Sequence, residues 1–289
     1  MESAKFLRSN ILYIIWFLLY FILAWLILGA SILSLIIVTI AYGISVPLAL
    51  SPLGEKLLRI LENCREPQTR EERRYLMPLF EEAYEYAREV NPKLNKGIKI
   101  YIMDAMYVNA FAIGRQTIAV TRGAMSTFTA DELRGIIAHE LGHMNYGHTK
   151  ALLLSVVGNF LFSFVVWIFK FILRILQTVS NIVSLFSGIA IFFSVIVFVA
   201  RWTVNISEFI FITLSEILLA LNSRYNEKEA DTFAYEMGYG RELISSMYLL
   251  QKISMNANVN VFERMKSSHP HIAQRIAYLE WLEDDGYEE

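Results

Sequence analysis

Residues 11–50 contain no charged side chain, and no other feature limits the fold of this chain more strongly. A helix needs roughly 20 residues to cross the hydrocarbon core of a membrane, so this run is long enough for two crossings. Gly29, Ala30 and Ser31 interrupt it near its middle and mark a turn. The run is also too long to be the apolar core of a secretory signal. Residues 1–50 are therefore predicted to form a transmembrane hairpin.

Two later apolar runs, residues 151–169 and 175–200, are also free of charge. We expect them to form a second transmembrane hairpin over residues 151–201, with its turn near Lys170 and Arg174. Hydrophobic residues make up 55% of the chain and charged residues only 19%, which is outside the range of ordinary soluble domains. The sequence thus predicts a mainly α-helical integral membrane protein with four transmembrane helices.

The chain becomes polar between and after these hairpins. Residues 51–150 begin with helical patterning and continue with three strand-like segments, KGIKIYIMD, YVNAFAIG and QTIAVTRGAM. Gly114 and Arg115 separate the last two segments and predict a hairpin turn. Residues 202–289 end in acidic side chains. We expect these two polar segments to form the two parts of one α+β domain with a small β-sheet.

Lysine and arginine predict the orientation, because they accumulate on the cytoplasmic side of membrane proteins. Lys5 and Arg8 precede the first predicted span, a group of arginines follows the second, and Arg201 ends the fourth. Both termini and both polar segments are therefore expected in the cytoplasm. Lys170 and Arg174 oppose this orientation, since they would lie at or near the turn on the far side, where they could snorkel or form an interfacial helix.

A candidate metal motif, HELGH, lies just before the third apolar run. Thr129 and Glu132 form a capping box, which predicts a helix from about Ala130. On that helix His139 and His143 are four residues apart and share one face, as two ligands of one zinc ion must. The intervening Glu140 is placed to accept a proton from water activated by the metal.

A catalytic zinc ion needs a third protein ligand, and the segment EKEAD supplies candidates. Glu227 and Asp231 are four residues apart on one helix face, while Glu229 points elsewhere. We expect Glu227 to be the ligand and Asp231 to hold the other ring nitrogen of a ligand histidine. His148 falls off the face shared by His139 and His143, and we expect it to have a structural or surface role.

The third ligand also restricts the topology. Glu227 reaches the zinc of His139 and His143 only if an even number of crossings separates the two motifs. Residues 202–221 are apolar, but Glu208 and Glu216 interrupt them. We therefore expect this stretch to be a helix that lies along the membrane or rises from it.

The motifs AHELGH, EKEAD and SSHPHIAQRI, with apolar pairs before and between the first two, resemble those of the HtpX-type membrane zinc metalloproteases, relatives of the CAAX prenyl endopeptidases. The resemblance extends over nearly the whole chain. It implies a gluzincin-type protease domain with one zinc ion on the cytoplasmic side of the inner membrane. It also implies quality control and stress response, with damaged or misassembled membrane proteins as substrates and a membrane adaptor or other quality-control proteases as partners.

The resemblance further implies roles for individual residues. His139, His143 and Glu227 match the zinc ligands of the family, Glu140 matches its general base, and Asp231 the carboxylate behind a ligand. The segment NAFAIG resembles the edge strand that pairs with substrate backbone, which implicates Asn109, Ala110 and Phe111 in substrate binding. His269 and Arg275 match a late histidine and arginine and are candidates for catalytic contacts with the developing oxyanion.

Two other functions remain open at this stage: a CAAX-type prenyl-protein endopeptidase and a zinc-binding membrane scaffold without turnover. A transporter is disfavoured, because the uncharged runs offer no polar pathway through the membrane. The formal net charge of −2 and the lack of a basic tail exclude nucleic acid as a partner. Cys64 has no second thiol with which to form a disulfide within the chain.

Overall fold

A computed structural model of the protein describes residues 2–185, 188–255 and 272–285. It confirms the predicted fold class, a mainly helical chain with a small sheet. The helices, numbered here in chain order, are α1 (Glu2–Ile27), α2 (Ile32–Ala49), α3 (Pro52–Leu61), α4 (Arg70–Val90), α5 (Arg122–Thr127), α6 (Ala130–Tyr146), α7 (His148–Ser184), α8 (Gly188–Glu236), α9 (Gly240–Met255) and α10 (Ile272–Asp285). The strands are β1 (Cys64–Arg65), β2 (Lys99–Met103), β3 (Ala110–Ile113) and β4 (Thr117–Thr121).

Four described helices are long and apolar enough to cross a membrane. The candidate spans lie in α1, α2, α7 and α8 and cover Asn10–Ile27, Ile32–Ala49, Phe160–Ser184 and Ile191–Thr213. The predicted number of spans is therefore confirmed. The predicted first turn is also confirmed, because Gly29 and Ala30 adopt positive φ angles of 95° and 50° between α1 and α2.

The predicted turn of the second hairpin is wrong. Helix α7 continues through Lys170 and Arg174 to Ser184, and α8 begins at Gly188. The prediction placed the end of a span at Lys170 and Arg174 because both are charged. In the structure, Lys170 forms an ion pair with Glu208 of α8. Pairing inside a helix hairpin lowers the cost of a charge at membrane depth, so no turn is needed there.

The helix that contains the fourth predicted span is also longer than the sequence indicated. Residues 202–221, expected to lie along the membrane or rise from it, form the middle of α8, which runs without a break from Gly188 to Glu236. The fourth candidate span extends to Thr213, beyond the predicted hairpin end at residue 201. A single helix therefore carries both a candidate span and the EKEAD segment.

The chain divides into two compact units. The helical unit comprises residues 14–46 and 154–219, and the sheet unit comprises residues 1–13, 47–153 and 220–289. Aromatic rings form the core of the helical unit, where Trp16 stacks on Phe211 with ring centroids 4.8 Å apart and Tyr20 contacts Phe162. Ring pairs of this kind contribute beyond the area that they bury.

The sheet unit is built on four strands in the order β1-β2-β4-β3. β2 and β4 are parallel, whereas the two outer pairs are antiparallel. All five residues of β4 are buried, and its neighbour β3 forms one edge of the sheet. Helix α6 packs against α4, α9 and β3, so the HELGH segment lies in the middle of the hydrophobic core of this unit.

A buried carboxylate fixes the turn that joins β3 to β4. Glu55 of α3 accepts hydrogen bonds from the backbone N–H groups of Arg115 and Gln116, each at 3.0 Å, and from the Thr117 hydroxyl at 2.6 Å. Gly114 has a φ of 61°, and a Cβ atom there would lie 2.7 Å from the Glu55 carboxylate. The predicted turn at Gly114 and Arg115 is confirmed, and Glu55 holds the edge strand β3 in place.

Candidate metal centre

Helix α6 presents its two histidines to one side. Thr129 and Glu132 form the complete capping box at its start, and this confirms the predicted beginning at Ala130. Because His139 and His143 are one turn apart, their rings meet edge to face with centroids 4.7 Å apart. Their Nε2 atoms are 3.1 Å apart. Two ring nitrogens therefore converge on the same point in the protein interior.

Helix α8 brings a carboxylate to the same point. The Glu227 oxygens lie 3.3 Å from Nε2 of His139 and 3.3 Å from Nε2 of His143. One donor atom from each of these three residues lies within 4.8 Å of the others. Two imidazoles and one carboxylate are the donor set of many catalytic zinc sites, which keep a fourth position for water. The residues present therefore fit a zinc ion.

A glycine makes this convergence sterically feasible. A Cβ atom at Gly142 would lie 2.8 Å from Cα of Ala230 and 2.9 Å from its carbonyl oxygen. Side chains larger than hydrogen cannot be accommodated at that distance without moving a backbone. Gly142 of HELGH thus lets α6 and α8 approach closely enough for Glu227 to reach both histidines.

Asp231 and Arg275 lie behind the three donors. Asp231 Oδ1 is 2.9 Å from Nδ1 of His139 and the residue is fully buried. Arg275 of α10 donates two hydrogen bonds to Asp231, at 2.8 and 2.6 Å, and its Nη1 lies 2.7 Å from Glu227. The guanidinium therefore holds Asp231 and Glu227 in a fixed arrangement. This is the position that the structure gives to the predicted catalytic arginine.

Burial and neighbouring charges set the protonation of the two histidines in opposite directions. Burial lowers the pKa of His143 to about 4. Burial and the Arg275 charge also lower the pKa of His139, but the Asp231 and Glu227 carboxylates outweigh both and raise it to about 9. His143 is thus neutral near pH 7 and can bind a metal without losing a proton, whereas His139 must release a proton when a metal binds.

Asp231 and Glu140 are both ionisable groups of the protein interior. Burial raises the pKa of Asp231, but the charges of Arg275 and His139 outweigh burial and hold it below its ordinary value. Glu140 follows His139 on α6 and is also buried. Burial lowers the pKa of Arg275, but the charges of Asp231, Glu227 and, to a smaller extent, Glu140 outweigh burial and raise it. The buried Glu140 carboxylate therefore lies in the same group of charges as the three donors.

The structure gives His148 a contact that the sequence did not suggest. His148 is buried, its Nδ1 lies 3.0 Å from Nδ1 of His143, and its Nε2 lies 3.0 Å from Glu229. The sequence placed His148 off the face shared by His139 and His143 because the helix was assumed to continue through it. Gly147 ends α6 with a φ of 75°, and this turn returns His148 to His143. A glycine directly before a histidine was the available signal.

The three predicted substrate-binding residues lie at and just before the edge strand. Ala110 and Phe111 are in β3, and Asn109 continues its pairing with β4, since the Thr121 N–H donates to the Asn109 carbonyl at 3.0 Å. Backbone pairing alternates along antiparallel strands. Ala110 and Ala112 therefore direct their N–H and C=O groups away from β4. His269, the remaining predicted site residue, lies outside the described residues.

Comparison with known proteins gives one family. The sequence profile of peptidase family M48 matches residues 76–283, more than half of the chain. This range contains HELGH, EKEAD and Arg275.

Two relatives are similar along most of their length. Protease HtpX of Alcanivorax borkumensis is 23% identical over 274 residues, which cover 87% of this chain and 86% of the relative. A protease HtpX homolog of Methylacidiphilum infernorum is 25% identical over 266 residues, covering 84% and 83%. The similarity therefore includes the apolar segments between HELGH and EKEAD as well as the metal motifs.

A solved structure shares the fold. The crystal structure of S. mikatae Ste24p superposes with a TM-score of 0.52 at 19% sequence identity, covering 91% of this chain and 61% of that chain. The chain therefore spans about three fifths of Ste24p.

Replacing Gly142 with alanine tests the close approach of the two helices. The added methyl group should push α8 away from α6, move Glu227 out of reach and destabilise the protein by about 1–3 kcal/mol. Zinc content per chain and Tm would be measured on purified protein. Gly43→Ala is the matched control, because a Cβ atom there has nothing within 4 Å. Wild-type zinc content in Gly142→Ala would show that the zinc site does not require the close approach of α6 and α8.

Proposed function

The chain belongs to peptidase family M48, and from this membership we propose that it is a zinc-dependent endopeptidase that cleaves membrane or misfolded proteins. The chain is a membrane metalloprotease with polypeptide substrates. The observation that carries the zinc assignment is the convergence of His139, His143 and Glu227 within 4.8 Å. All three side chains are wholly or largely buried, which excludes bulk water from their donor atoms.

The reaction follows from the residues around this point. A zinc ion held there would supply a Lewis acid for the peptide carbonyl and lower the pKa of water. Glu140 then accepts a proton from the attacking water and passes it to the amine that leaves. Asp231 holds His139 through Nδ1 and so fixes the tautomer that presents Nε2 to the metal.

Arg275 serves this chemistry by positioning. Its hydrogen bonds join Asp231 to Glu227, and it is largely buried. A cation in this place compensates the carboxylates that surround the two histidines. We therefore assign Arg275 no direct contact with the oxyanion. His269 keeps its predicted role as an oxyanion donor.

Substrates bind as an additional strand beside β3. Strand addition uses backbone hydrogen bonds, so it tolerates many sequences and suits an enzyme that degrades damaged proteins. Ala110 and Ala112 supply the outward N–H and C=O groups, and the described part of the chain has no strand on that side. Asn109 precedes Ala110 and Phe111 lies between the two alanines, and the backbone groups of both residues face β4. Packing of β3 on α6 supports a substrate path toward the metal centre.

General polypeptide substrates are preferred to prenylated ones. Two relatives that match over more than 80% of this chain are named protease HtpX and protease HtpX homolog, and they match along equally large parts of their own length. Ste24p is similar over only 61% of its length. We propose quality control in the inner membrane as the cellular role, with an adaptor or other proteases as partners.

Glu140→Gln tests the mechanism directly. The variant should keep one zinc ion per chain but cleave an unfolded model protein at least about 100-fold more slowly, because it cannot accept the proton. His139→Ala, His143→Ala and Glu227→Ala should lose zinc as well as activity. Metal analysis and product formation would be measured on detergent-purified enzyme. Glu89→Gln, an exposed acid on α4, is the control.

Two outcomes would reject parts of this proposal. Undiminished cleavage by Glu140→Gln would show that another residue accepts the proton. Full zinc content in Glu227→Ala would remove Glu227 from the ligand set.

Peptides with single backbone N-methyl groups test strand addition. Each methyl group removes one N–H donor, so kcat/KM should fall about tenfold at the positions that pair with β3 and remain unchanged at the residues between them. The expected result is a pattern with a period of two residues. An equal effect at every position would contradict pairing with β3.

Cysteine labelling tests the cytoplasmic orientation of the sheet unit. In a Cys64→Ser background, a cysteine introduced by Lys96→Cys should resist an impermeant reagent in intact cells, since Lys96 is exposed but belongs to the sheet unit. A Leu185→Cys variant is the matched control. Leu185 is exposed in the turn between two candidate spans and should be labelled from outside. Labelling of the first variant alone would reverse the orientation.

A further inference from the structure

His148 occupies a special place in the chain, at the first residue after the helix that carries both histidines. Gly147 has a φ of 75°, and its N–H donates to the carbonyls of His143 and Met144. Had α6 continued, His148 would lie about 140° around the helix from His143. The left-handed glycine instead turns the chain, and His148 begins α7 with its ring beside His143.

Three side chains then form a continuous hydrogen-bonded series. Nδ1 of His143 is 3.0 Å from Nδ1 of His148, and Nε2 of His148 is 3.0 Å from Oε2 of Glu229. The side chain of His148 is only 4% exposed and that of Glu229 15%. Water therefore has little access to either contact.

The chemistry of imidazole allows one proton arrangement in this series when Nε2 of His143 binds a metal. The lone pair must then be on Nε2, so Nδ1 of His143 carries a proton and donates it to Nδ1 of His148. His148, as the acceptor at Nδ1, carries its own proton on Nε2 and donates it to the Glu229 carboxylate. Glu229 thus selects the tautomer of His148, and His148 selects that of His143.

We propose that His148 and Glu229 are positioning residues that fix the ring orientation and tautomer of the ligand His143. This inference rests on the proposed zinc function and adds a second support to it. Asp231 acts on His139 directly, at 2.9 Å. Glu229 acts on His143 through an intervening imidazole. Each ligand histidine is then oriented by its own carboxylate.

The sequence EKEAD provides all three acidic groups within five residues of α8. Glu227 and Asp231 share a helix face, and Glu229 lies on another. One carboxylate on a different face cannot reach a ligand histidine directly. His148 spans that gap from the start of α7 and links Glu229 to His143.

A purely structural role for His148 would rest on packing. Its ring stacks on Tyr146 with centroids 5.6 Å apart. His148→Phe keeps an aromatic ring for this stacking but removes the acceptor for Nδ1 of His143. The two roles therefore predict different results for the same variant.

The test measures zinc affinity by competition with a chelator, using full-length protein in detergent. His148→Phe should bind zinc about 10–100-fold more weakly, the usual effect of losing a group that orients a ligand. His148→Asn should recover part of that loss, because the amide oxygen can accept from Nδ1 of His143. Absorption of the Co²⁺-substituted protein should change in His148→Phe, since it reports ligand geometry.

A substitution of Glu229 tests the same role independently and leaves the rings of His143 and His148 in place. Glu229→Gln should weaken zinc binding about tenfold, because a neutral amide selects the tautomer of His148 less strongly. Glu236→Gln is the matched control, an exposed acid further along α8, and should bind zinc like the wild type. Tm of the metal-free proteins shows whether each variant is folded. If His148→Phe is unfolded, the Glu229 pair decides the question.

The outcomes separate this inference from the proposed function. Wild-type zinc affinity and Co²⁺ spectra in His148→Phe and Glu229→Gln would overturn the positioning role and leave the zinc site intact. Failure of the wild type itself to bind zinc would overturn the proposed function. Weaker binding in both variants, with partial recovery in His148→Asn, supports the inference.

Discussion

The close approach of α6 and α8 at Gly142 is the constraint on which the candidate metal centre depends. Two histidines on one helix supply only two donors, and the third must come from a segment more than 80 residues later in the chain. A methyl group at Gly142 would collide with the Ala230 backbone, so hydrogen is the side chain that this contact requires. Because the helices touch here, Glu227 meets both imidazoles without a change in the course of either helix.

The charges around this contact are arranged to compensate one another. Glu227, Asp231 and Glu140 are buried acids that would each be costly alone. Arg275 bonds to Glu227 and Asp231, and His139 lies 2.9 Å from Asp231 and 3.3 Å from Glu227. In the helical unit, Lys170 and Glu208 follow the same rule, since each neutralises the other between two candidate spans. Charge is thus paired in both units, in the interior of the sheet unit and at the half-buried Lys170 and Glu208 of the helical unit.

Secondary structure and the edge strand show how the rest of the fold serves the centre. Capping fixes where α6 begins, Gly147 fixes where it ends, and the core around α4 and α9 holds it against the sheet. Glu55 fixes the β3–β4 turn by accepting two backbone N–H groups, and so keeps β3 beside α6. The candidate substrate strand and the candidate metal centre thereby both lie at α6.

The sequence by itself determined whatever depends on near neighbours in the chain. Apolar run lengths predicted four spans, Thr129 and Glu132 predicted the start of α6, and the spacing of His139 and His143 placed them on one face. The tertiary structure decided what depends on distant partners. Lys170 continues a helix because Glu208, 38 residues later, neutralises it. His148 lies beside His143 because Gly147 ends α6 in a left-handed turn, and its Nε2 lies 3.0 Å from Glu229, 81 residues away. Local periodicity contains no information about such partners, since their contact exists only after the chain has folded.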